Sequence, residues 1–503
     1  MSSHVRPARP APPRASRGEI KALTGLRAVA AMWVVLYHFK WLLWPYLDQV
    51  PFVRPVLDAG WTGVELFFVL SGFVIARSYL DECGARWRTS AVVRFLFNRF
   101  ARVWPAYAVV TVVAFLWLFA ITRLGWTVHI VAPHPDATVA ELGRELTMTQ
   151  MWGESTLLGQ SFNPPGWSVS AEWLAYLAFP LLALLLRPLR RLHPVVLLVL
   201  ACAAMLPLYL TSFQDGPPDV DTNWVLRIAC CFVAGILACL AVRDLPETER
   251  AEQWGLFLSV TCVLGVLLVC FWASWRRAAD PTVDFAGVAI ALYPLLIVGL
   301  TLSRRGPARV LAKGPLLYGG RLSYCLYLVH FVVQDVLITS LWQEESKLGV
   351  LTPGLALSVP LLVLASVAAS AALHHGVEEP ARRALLSLYR RATTRTDEPR
   401  PRDAAQVRPP EEMAAPGSRL GELAEPWPDA AADADAILRR IALEPRTERL
   451  TTGSVAGHVP GPRHTVSAVR PDPRSPRMNP VSRERPRSTG PSTDVRETVG
   501  RHS

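Results

Sequence analysis

The sequence has few charged residues for its length, and this shortage excludes most soluble folds. Its 503 residues are only 18% charged and 51% hydrophobic, whereas about a quarter of the residues in a soluble domain carry charge. The mean hydropathy is +0.26, and the charges that exist crowd into the first 21 residues, the short loops and the last 113. A water-soluble enzyme is therefore nearly excluded, as is a fold built on exposed strands.

Paired cysteines are also missing. The eight cysteines are scattered, form no C-x-x-C pair and show no metal-ligand spacing. We therefore predict buried free thiols and no metal site. Seven of the eight lie within apolar runs: Cys202, Cys230, Cys231, Cys239, Cys262, Cys270 and Cys325.

The net charge of +11 does not indicate a nucleic-acid partner. The arginines gather at the borders of the apolar runs, where lipid contact and membrane topology account for them. The partner that the charge pattern predicts is a lipid bilayer.

Apolar runs of about 20 residues recur along the chain, and each is long enough to cross a hydrocarbon core of about 30 Å. Proline and glycine interrupt several of them, which membrane helices tolerate. The predicted fold is therefore all-α, an integral membrane protein with about ten transmembrane helices and a disordered C-terminal tail. The ten predicted spans lie near residues 22–44, 62–80, 103–121, 171–187, 194–213, 223–242, 254–273, 283–302, 316–341 and 352–374.

Lysine and arginine are concentrated in the N-terminal segment and in every second loop after it. This alternation predicts both termini in the cytoplasm of a multi-pass cell-membrane protein. The predicted organisation is a disordered basic N-terminus at 1–20, a membrane domain at 21–388 and a disordered cytoplasmic tail at 389–503. The tail holds 16 of the 42 prolines, and it cannot bury enough apolar surface to offset its ordering entropy.

Charged and titratable residues inside the spans cost several kcal/mol and are functional candidates by default. Arg27 and His38 lie eleven positions apart in the first span. That spacing is three helical turns plus about 20°, so both side chains project from one face, about 16 Å apart along the axis. His38 is either a catalytic base or a hydrogen-bonded helix-packing group.

The second span begins with Glu65 and continues to Ser71 and Gly72. A carboxylate near a histidine would orient the ring and raise its basicity, as in a catalytic dyad. Glu65 equally suits an ion pair with an arginine of another span. The Ser71-Gly72 pair predicts close backbone approach to a neighbouring helix.

Arg99 and Arg102 are three residues apart where the third span begins, so they share a helix face. Two guanidinium groups in this arrangement can clamp a phosphate. Arginines at a cytoplasmic border also satisfy the positive-inside rule with no further role. Their position on the same side as Arg27 favours the clamp.

Two further segments carry candidates. Trp167, Ser168 and Glu172 begin the fourth span, where a capping box with interfacial aromatics is the alternative to a reactive carboxylate. His330 lies inside the ninth span, in the run from Arg321; a catalytic role is open to it, but a structural or substrate-facing role suits it better.

Taken together, these segments resemble the membrane-bound acyltransferase-3 family, whose members O-acylate bacterial polysaccharides, lipid-linked glycans and macrolide antibiotics. The resemblance covers about residues 19–385 and rests on six motifs in the right order. The motifs are Arg27 to His38, Gly-Val-Glu-Leu-Phe-Phe-Val-Leu-Ser-Gly-Phe at 63–73, Arg99-x-x-Arg102, Trp167-Ser168 with Glu172, Ser323-Tyr324-x-x-Tyr327-Leu328-x-His330, and Val377 to Arg383.

The resemblance implies an O-acyltransferase that takes its acyl group from cytoplasmic acyl-coenzyme A, with acetyl-CoA the first candidate and no metal. It assigns donor binding to Arg27, Arg99 and Arg102 and catalysis to His38. The acceptor that it implies is a hydroxyl of a carbohydrate, a lipid-linked glycan or a macrolide.

The remaining motif matches have roles that the resemblance leaves open. Glu65 and Glu172 are predicted to be catalytic, and Ser71, Trp167 and His330 are predicted to contact substrate. Direct attack of the acceptor on the thioester and a covalent acyl-enzyme on His38 or Ser71 both fit these residues.

Other classes of protein place similar residues in membrane spans. A transporter that moves an acyl group or small metabolite without covalent chemistry would also bury histidine, glutamate and arginine along its pathway. No internal repeat is visible in the sequence, which weakens that interpretation. A sensor or scaffold would instead use the tail.

Overall fold

A computed structural model describes residues 18–43, 47, 50–125, 134–156, 159–214, 223–279, 285–341 and 353–397. Within these ranges the chain is helical and contains no β-strand, which confirms the predicted all-α class. The helices are α1 (Lys21–Phe39), α2 (Arg54–Asp58), α3 (Gly63–Gly84), α4 (Thr89–Leu124), α5 (Val139–Leu146), α6 (Gly166–Leu186), α7 (Pro194–Ala203), α8 (Leu206–Gln214), α9 (Trp224–Val242), α10 (Glu249–Ala279), α11 (Leu292–Leu302), α12 (Pro307–Leu311), α13 (Gly314–Leu341), α14 (Pro353–Leu373) and α15 (Glu379–Asp397).

The described residues include nine helical segments that are long and apolar enough to cross a membrane. They coincide with nine of the ten predicted spans, and the multi-pass membrane fold is confirmed. The segments are Lys21–Leu43, Arg54–Gly84, Thr89–Leu124, Gly166–Arg191, Trp224–Val242, Glu249–Ala279, Phe285–Leu302, Gly314–Leu341 and Pro353–Thr393.

The predicted span at 194–213 differs from the structure. It forms two short helices, α7 of 10 residues and α8 of 9 residues. Pro207 is the second residue of α8, and proline has no N–H to donate to the preceding turn and clashes with its carbonyl. A hydropathy window measures apolar length only, so it does not detect this break.

Two helix pairs are packed closely enough to position reactive groups. A Cβ atom added to Gly72 of α3 would overlap the carbonyl oxygen of Phe232 in α9, and one added to Gly235 would overlap the carbonyl of Val69. The close approach predicted for Ser71-Gly72 is therefore confirmed. It lets α3 and α9 pack backbone to backbone, as small residues do between membrane helices.

Helices α1 and α13 form the second pair, and they run side by side in the same direction. The Arg27 Nε donates to Ser323 Oγ over 3.2 Å, and His38 Nδ1 lies 3.1 Å from His330 Nε2. Residue numbers rise together along both helices, so this pair carries arginine at one end and histidine at the other.

The eight cysteines are free, and all but Cys202 are buried, so the prediction of buried thiols is confirmed. The C-terminal boundary is different from the prediction, because α15 continues to Asp397 and so includes the first part of the segment 389–503. The ring of Tyr389 stacks on Phe97 of α4 with centroids 4.6 Å apart, which anchors this helix. Residues 1–17 of the predicted N-terminal segment and 398–503 of the predicted tail lie outside the described residues.

Outside the membrane-spanning segments, a buried carboxylate organises the connection between α4 and α6. The Glu145 carboxylate of α5 accepts from the Phe162 backbone N–H over 2.5 Å and from the Tyr107 hydroxyl over 3.5 Å. Burial raises the pKa of Glu145 to about 8. Because a neutral carboxyl costs less to bury than a charged one, this residue fixes the connection with little electrostatic penalty at neutral pH.

Candidate active site

Two histidines meet where α1 and α13 approach each other. His38 is half-buried in the last turn of α1, and His330 is fully buried on α13. The centroids of their rings lie 5.0 Å apart. His330, which the sequence assigned to substrate contact, is thus a direct partner of the predicted catalytic histidine.

The hydrogen bonds of this pair define which nitrogens carry protons. His38 Nδ1 lies 2.9 Å from the Val34 carbonyl oxygen, and His330 Nδ1 lies 3.2 Å from the Leu326 carbonyl oxygen. A carbonyl can only accept, so each Nδ1 donates. With both rings neutral, His330 Nε2 is then an acceptor, and the His38 Nδ1–H is shared between it and the Val34 carbonyl oxygen. This leaves His38 Nε2 without a proton, the state that a general base requires.

At the other end of the α1–α13 pair lies a cavity of about 390 Å³, which we call the arginine cavity. Its lining includes five arginines and two glutamates, so its net charge is positive. The lining residues that carry a charge are Glu19, Arg27, Arg77, Arg99, Arg102, Glu172 and Arg321. All three arginines predicted to bind the donor are therefore brought together.

The arginines of the Arg-x-x-Arg pair are not neutralised by acidic partners among the described residues. Arg99 donates to the Tyr79 hydroxyl over 3.4 Å and lies 5.3 Å from the centre of that ring, while its buried Nε makes no hydrogen bond. Arg102 makes no hydrogen bond or ion pair with the part of the chain that the structure describes. An anion entering the cavity would supply the missing acceptors.

The arginine cavity also contains the predicted residues Ser71 and Glu172. Ser71 Oγ donates to Glu172 Oε1 over 2.5 Å, so the two motifs from α3 and α6 form one hydrogen-bonded pair. Glu172 lines this cavity, whereas His38 and His330 do not. A catalytic role for Glu172 stays a prediction.

Two aromatic rings of the arginine cavity pack together, and one of them also contacts the histidine pair. Phe67 and Tyr327 belong to the cavity lining, and their centroids lie 6.2 Å apart. The Tyr327 ring lies 6.0 Å from His330 on its other side. The Tyr327 hydroxyl is held between Ser168 Oγ at 2.8 Å and the Pro165 carbonyl at 3.2 Å. Arg27 and His38 share a helix face as predicted, and the Tyr327 ring connects the cavity that holds Arg27 with the partner of His38.

Glu65 does not serve the histidine pair. It is fully buried, and it binds Arg227 of α9, whose Nε donates to Glu65 Oε1 over 2.5 Å. The predicted Glu65–His38 dyad is therefore wrong, and the alternative of an ion pair with another span is confirmed. His330 takes the place beside His38 that the sequence offered to Glu65.

Arg227 was missed by the sequence analysis, although an arginine within the apolar run 223–242 is itself a signal. Its guanidinium lies 4.7 Å from the centre of the Trp167 ring and 5.7 Å from that of Trp61. Trp167 was predicted to contact substrate. The structure packs it over Arg227 and against Phe68, outside the lining of the arginine cavity, where the aromatic faces stabilise the desolvated cation. Contact of Trp167 with substrate stays a prediction.

One group of potential metal ligands was also missed. Cys325 of α13 donates through Sγ to Glu378 Oε2 over 3.1 Å, and His374 Nδ1 lies 2.7 Å from the same oxygen. The three ligand atoms lie within 4.8 Å of one another. A π-helical turn at His374–Glu378 brings the histidine and the carboxylate to one side. The hydrogen bonds among them account for these contacts without an ion.

Several known proteins are similar in sequence to this helical bundle. The family model described as "Acyltransferase domain" matches residues 20–375. Acyltransferase MdmB of Streptomyces mycarofaciens is 28% identical over 64% of this chain and 80% of its own length. Nodulation protein 10 of Rhizobium leguminosarum bv. viciae is 26% identical over 65% of this chain and 84% of its own.

A third relative is the peptidoglycan O-acetyltransferase OatA of Listeria monocytogenes, which is 22% identical over 64% of this chain and half of its own length. No solved structure matches the chain with significance. The family match spans most of the helical bundle, including α1 with Arg27 and His38 and the whole of α13. This chain therefore belongs to the membrane-bound acyltransferase-3 family and is a multi-pass membrane acyltransferase.

Proposed function

We propose that the protein transfers an acyl group, acetyl in the first instance, from acyl-coenzyme A to an acceptor hydroxyl at His38. The observation that carries the proposal is the His38–His330 pair, in which the hydrogen bonds leave His38 Nε2 as an unprotonated base. The same two helices hold Arg27 in a cavity with surplus positive charge, which suits the phosphates of the donor.

In the proposed reaction, His38 Nε2 accepts the proton of the acceptor hydroxyl as its oxygen attacks the thioester carbonyl. The carbon–sulfur bond then breaks, and the departing coenzyme A sulfur takes the proton back from Nε2. His38 ends the cycle unprotonated, and the ester is the product. Transfer through a covalent acyl group on Ser71 is less well supported, because the Ser71 hydroxyl lies in the arginine cavity and donates to Glu172.

The donor must pass from the arginine cavity to the histidine pair. Its phosphates are too costly to bring into hydrocarbon, so the arginines hold them at the membrane border while the thin, uncharged arm extends inward. We infer that the arginine border faces the cytoplasm of the cell membrane, as the distribution of positive charge predicts. The Phe67 and Tyr327 rings must turn aside for the thioester to reach His38.

For the acceptor we propose a carbohydrate hydroxyl, either on a polysaccharide or on a lipid-linked glycan. The name of the Listeria relative, a peptidoglycan O-acetyltransferase, favours this class. A macrolide hydroxyl is the other acceptor that the family resemblance supplies.

The experiment that tests the proposal uses the purified full chain in lipid nanodiscs. Radiolabelled acetyl-CoA is supplied with glycan and macrolide acceptors, and the ester products are identified by mass spectrometry. Formation of an acylated product together with free coenzyme A supports the proposal. Transport of substrate into vesicles with no release of coenzyme A contradicts it.

Replacing both Arg99 and Arg102 with alanine should raise the KM for acyl-CoA by at least about 100-fold with little change in kcat. Each lost charge-assisted hydrogen bond to phosphate is worth about 1.5–3 kcal/mol. Initial rates against donor concentration measure the effect. Arg88→Ala is the matched control, since Arg88 is an exposed arginine just before α4 and does not line the arginine cavity. Unchanged donor saturation in the double variant would count against the clamp.

Replacing His330 with phenylalanine should lower kcat by about 10- to 100-fold at nearly constant donor KM. The variant removes the acceptor for His38 Nδ1–H, a hydrogen bond worth about 1–3 kcal/mol when its loss leaves a buried donor partly satisfied. His330→Gln retains an acceptor oxygen and should recover most of the rate. If phenylalanine and glutamine reduce kcat equally, His330 acts through packing and not through the hydrogen bond.

A further inference from the structure

A second cleft adjoins the arginine cavity, and it lies between α4 and the C-terminal helix α15. It measures about 500 Å³, and we call it the α15 cleft. Arg99 and Arg102 line both spaces, so the two cavities meet at the Arg-x-x-Arg pair. The complete lining of the α15 cleft is Tyr79, Arg94, Asn98, Arg99, Arg102, Arg382, Leu386, Tyr389, Arg390 and Thr393.

The α15 cleft is positively charged, because its lining includes five arginines and no carboxylate. Glu82 lies 2.8 Å from Arg94, and Glu379 lies 3.0 Å from Arg382, but both acids stand outside the lining. Arg99 and Arg102 have no acidic partner among the described residues. A space of this composition suits a ligand with several phosphate charges, not a single carboxylate.

Aromatic and amide side chains also line the α15 cleft. Tyr79 contributes a phenol ring, which accepts from Asn98 Nδ2 over 3.3 Å at its hydroxyl and lies against the Arg99 guanidinium. Tyr389 contributes a second ring, whose stacking on Phe97 fixes α15 to α4. Rings beside guanidinium groups provide stacking surfaces for a heterocyclic base.

The continuity of the two spaces matches the two halves of the proposed donor. Coenzyme A has a slender thioester arm at one end and a nucleotide with a diphosphate and a 3′-phosphate at the other. The arginine cavity at 390 Å³ includes Tyr327, which lies beside His330, whereas the α15 cleft at 500 Å³ is lined by no residue of α1 or α13. Arg99 and Arg102 stand between the two spaces, where the diphosphate would join the arm to the nucleotide.

On the basis of the proposed function, we propose that the α15 cleft binds the 3′-phosphorylated adenine nucleotide of the donor. Arg382 and Arg390 contact its 3′-phosphate, and Arg99 and Arg102 contact the diphosphate. The cleft thereby selects acyl groups carried on coenzyme A over those carried on pantetheine or on a carrier protein, which have no nucleotide.

The test compares three acetyl donors, acetyl-CoA, acetyl-3′-dephospho-CoA and acetyl-pantetheine, with full-length protein in nanodiscs. For the wild type we expect kcat/KM to fall at least about tenfold when the 3′-phosphate is absent, the loss of one or two charge-assisted hydrogen bonds. The variant with both Arg382→Gln and Arg390→Gln should use acetyl-CoA no better than the wild type uses the dephospho donor. Its rate with acetyl-3′-dephospho-CoA should be unchanged.

Arg383→Ala is the matched control on the same helix. Its side chain is 75% exposed and pairs with Glu379 outside the cleft, so it should leave the preference for the 3′-phosphate intact. Turnover of acetyl-pantetheine, which does not reach the cleft, verifies that each variant is folded and catalytically competent. Calorimetric binding of adenosine 3′,5′-bisphosphate gives a second measure, and the double variant should weaken it at least about tenfold.

Each contrary result has one meaning. Equal use of acetyl-CoA and its dephospho form by the wild type overturns the cleft assignment but leaves the proposed function standing. Arginine effects that appear only in nanodiscs with anionic lipid assign the cleft to lipid headgroups and also overturn it. Failure of the wild type to turn over any of the three donors contradicts the proposed function itself.

Discussion

Replacing His38 with alanine is expected to lower kcat by about 10²- to 10⁴-fold, the usual contribution of a positioned general base. The ring supplies the only unprotonated nitrogen of the histidine pair that is not committed to a hydrogen bond, because His330 Nε2 already accepts from His38. Donor binding should change little, since the arginine cavity does not include His38. Initial rates of coenzyme A release, with membrane insertion checked by size-exclusion chromatography, measure the effect.

The matched control for this variant is His134→Ala. His134 is an exposed histidine whose Nδ1 lies near its neighbouring Pro135 carbonyl, and it lines neither cavity. A His38→Ala protein that inserts normally and turns over at the wild-type rate would remove His38 from the chemistry. The rest of the mechanism would then need a different base.

Replacing Arg227 with methionine is expected to lower the free energy of unfolding by about 3–5 kcal/mol, the usual cost of breaking one side of a buried ion pair. Glu65 would be left as a fully buried carboxylate without its partner. Glu65→Met should destabilise the protein similarly, by stranding the guanidinium between Trp61 and Trp167. Combining the two substitutions should recover most of the stability, because no unpaired charge then remains.

Thermal unfolding in detergent and reversible unfolding in mixed micelles measure these differences as a double-mutant cycle. Arg144→Met provides the comparison, since the Arg144–Glu154 pair has side chains that are 37% and 32% exposed and should contribute at most about 1 kcal/mol. Additive losses in the Glu65→Met, Arg227→Met protein would show that the two residues do not stabilise each other. Full stability of the Arg227→Met protein would also contradict the assignment.

Helix periodicity correctly predicted the direction of side chains that lie on the same helix. The spacing of Arg99 and Arg102 predicted a shared face, and both residues line the arginine cavity. The position of Arg27 and His38 on one face of α1 was likewise predictable, and both side chains do face α13. A period along one chain segment fixes these directions without reference to any neighbour.

Contacts between helices could not be predicted in the same way. The choice of His330 over Glu65 as the partner of His38 depends on α1 lying beside α13, and the choice of Arg227 for Glu65 depends on α3 lying beside α9. No local pattern records which helices are adjacent. The contact of Tyr327 with both the arginine cavity and His330 could not be predicted either. An aromatic residue in an apolar span is ordinary by composition alone.

The two hydrogen bonds of the Tyr327 hydroxyl bear on how a bound thioester would be protected from water. The hydroxyl is held by Ser168 and by the Pro165 carbonyl, so the ring is fixed in the lining of the arginine cavity, 6.0 Å from the ring of His330. His330 is in turn the partner of His38. If the donor binds as proposed, Tyr327 has to give up these hydrogen bonds before the thioester reaches His38, which would limit premature hydrolysis of the activated acyl group.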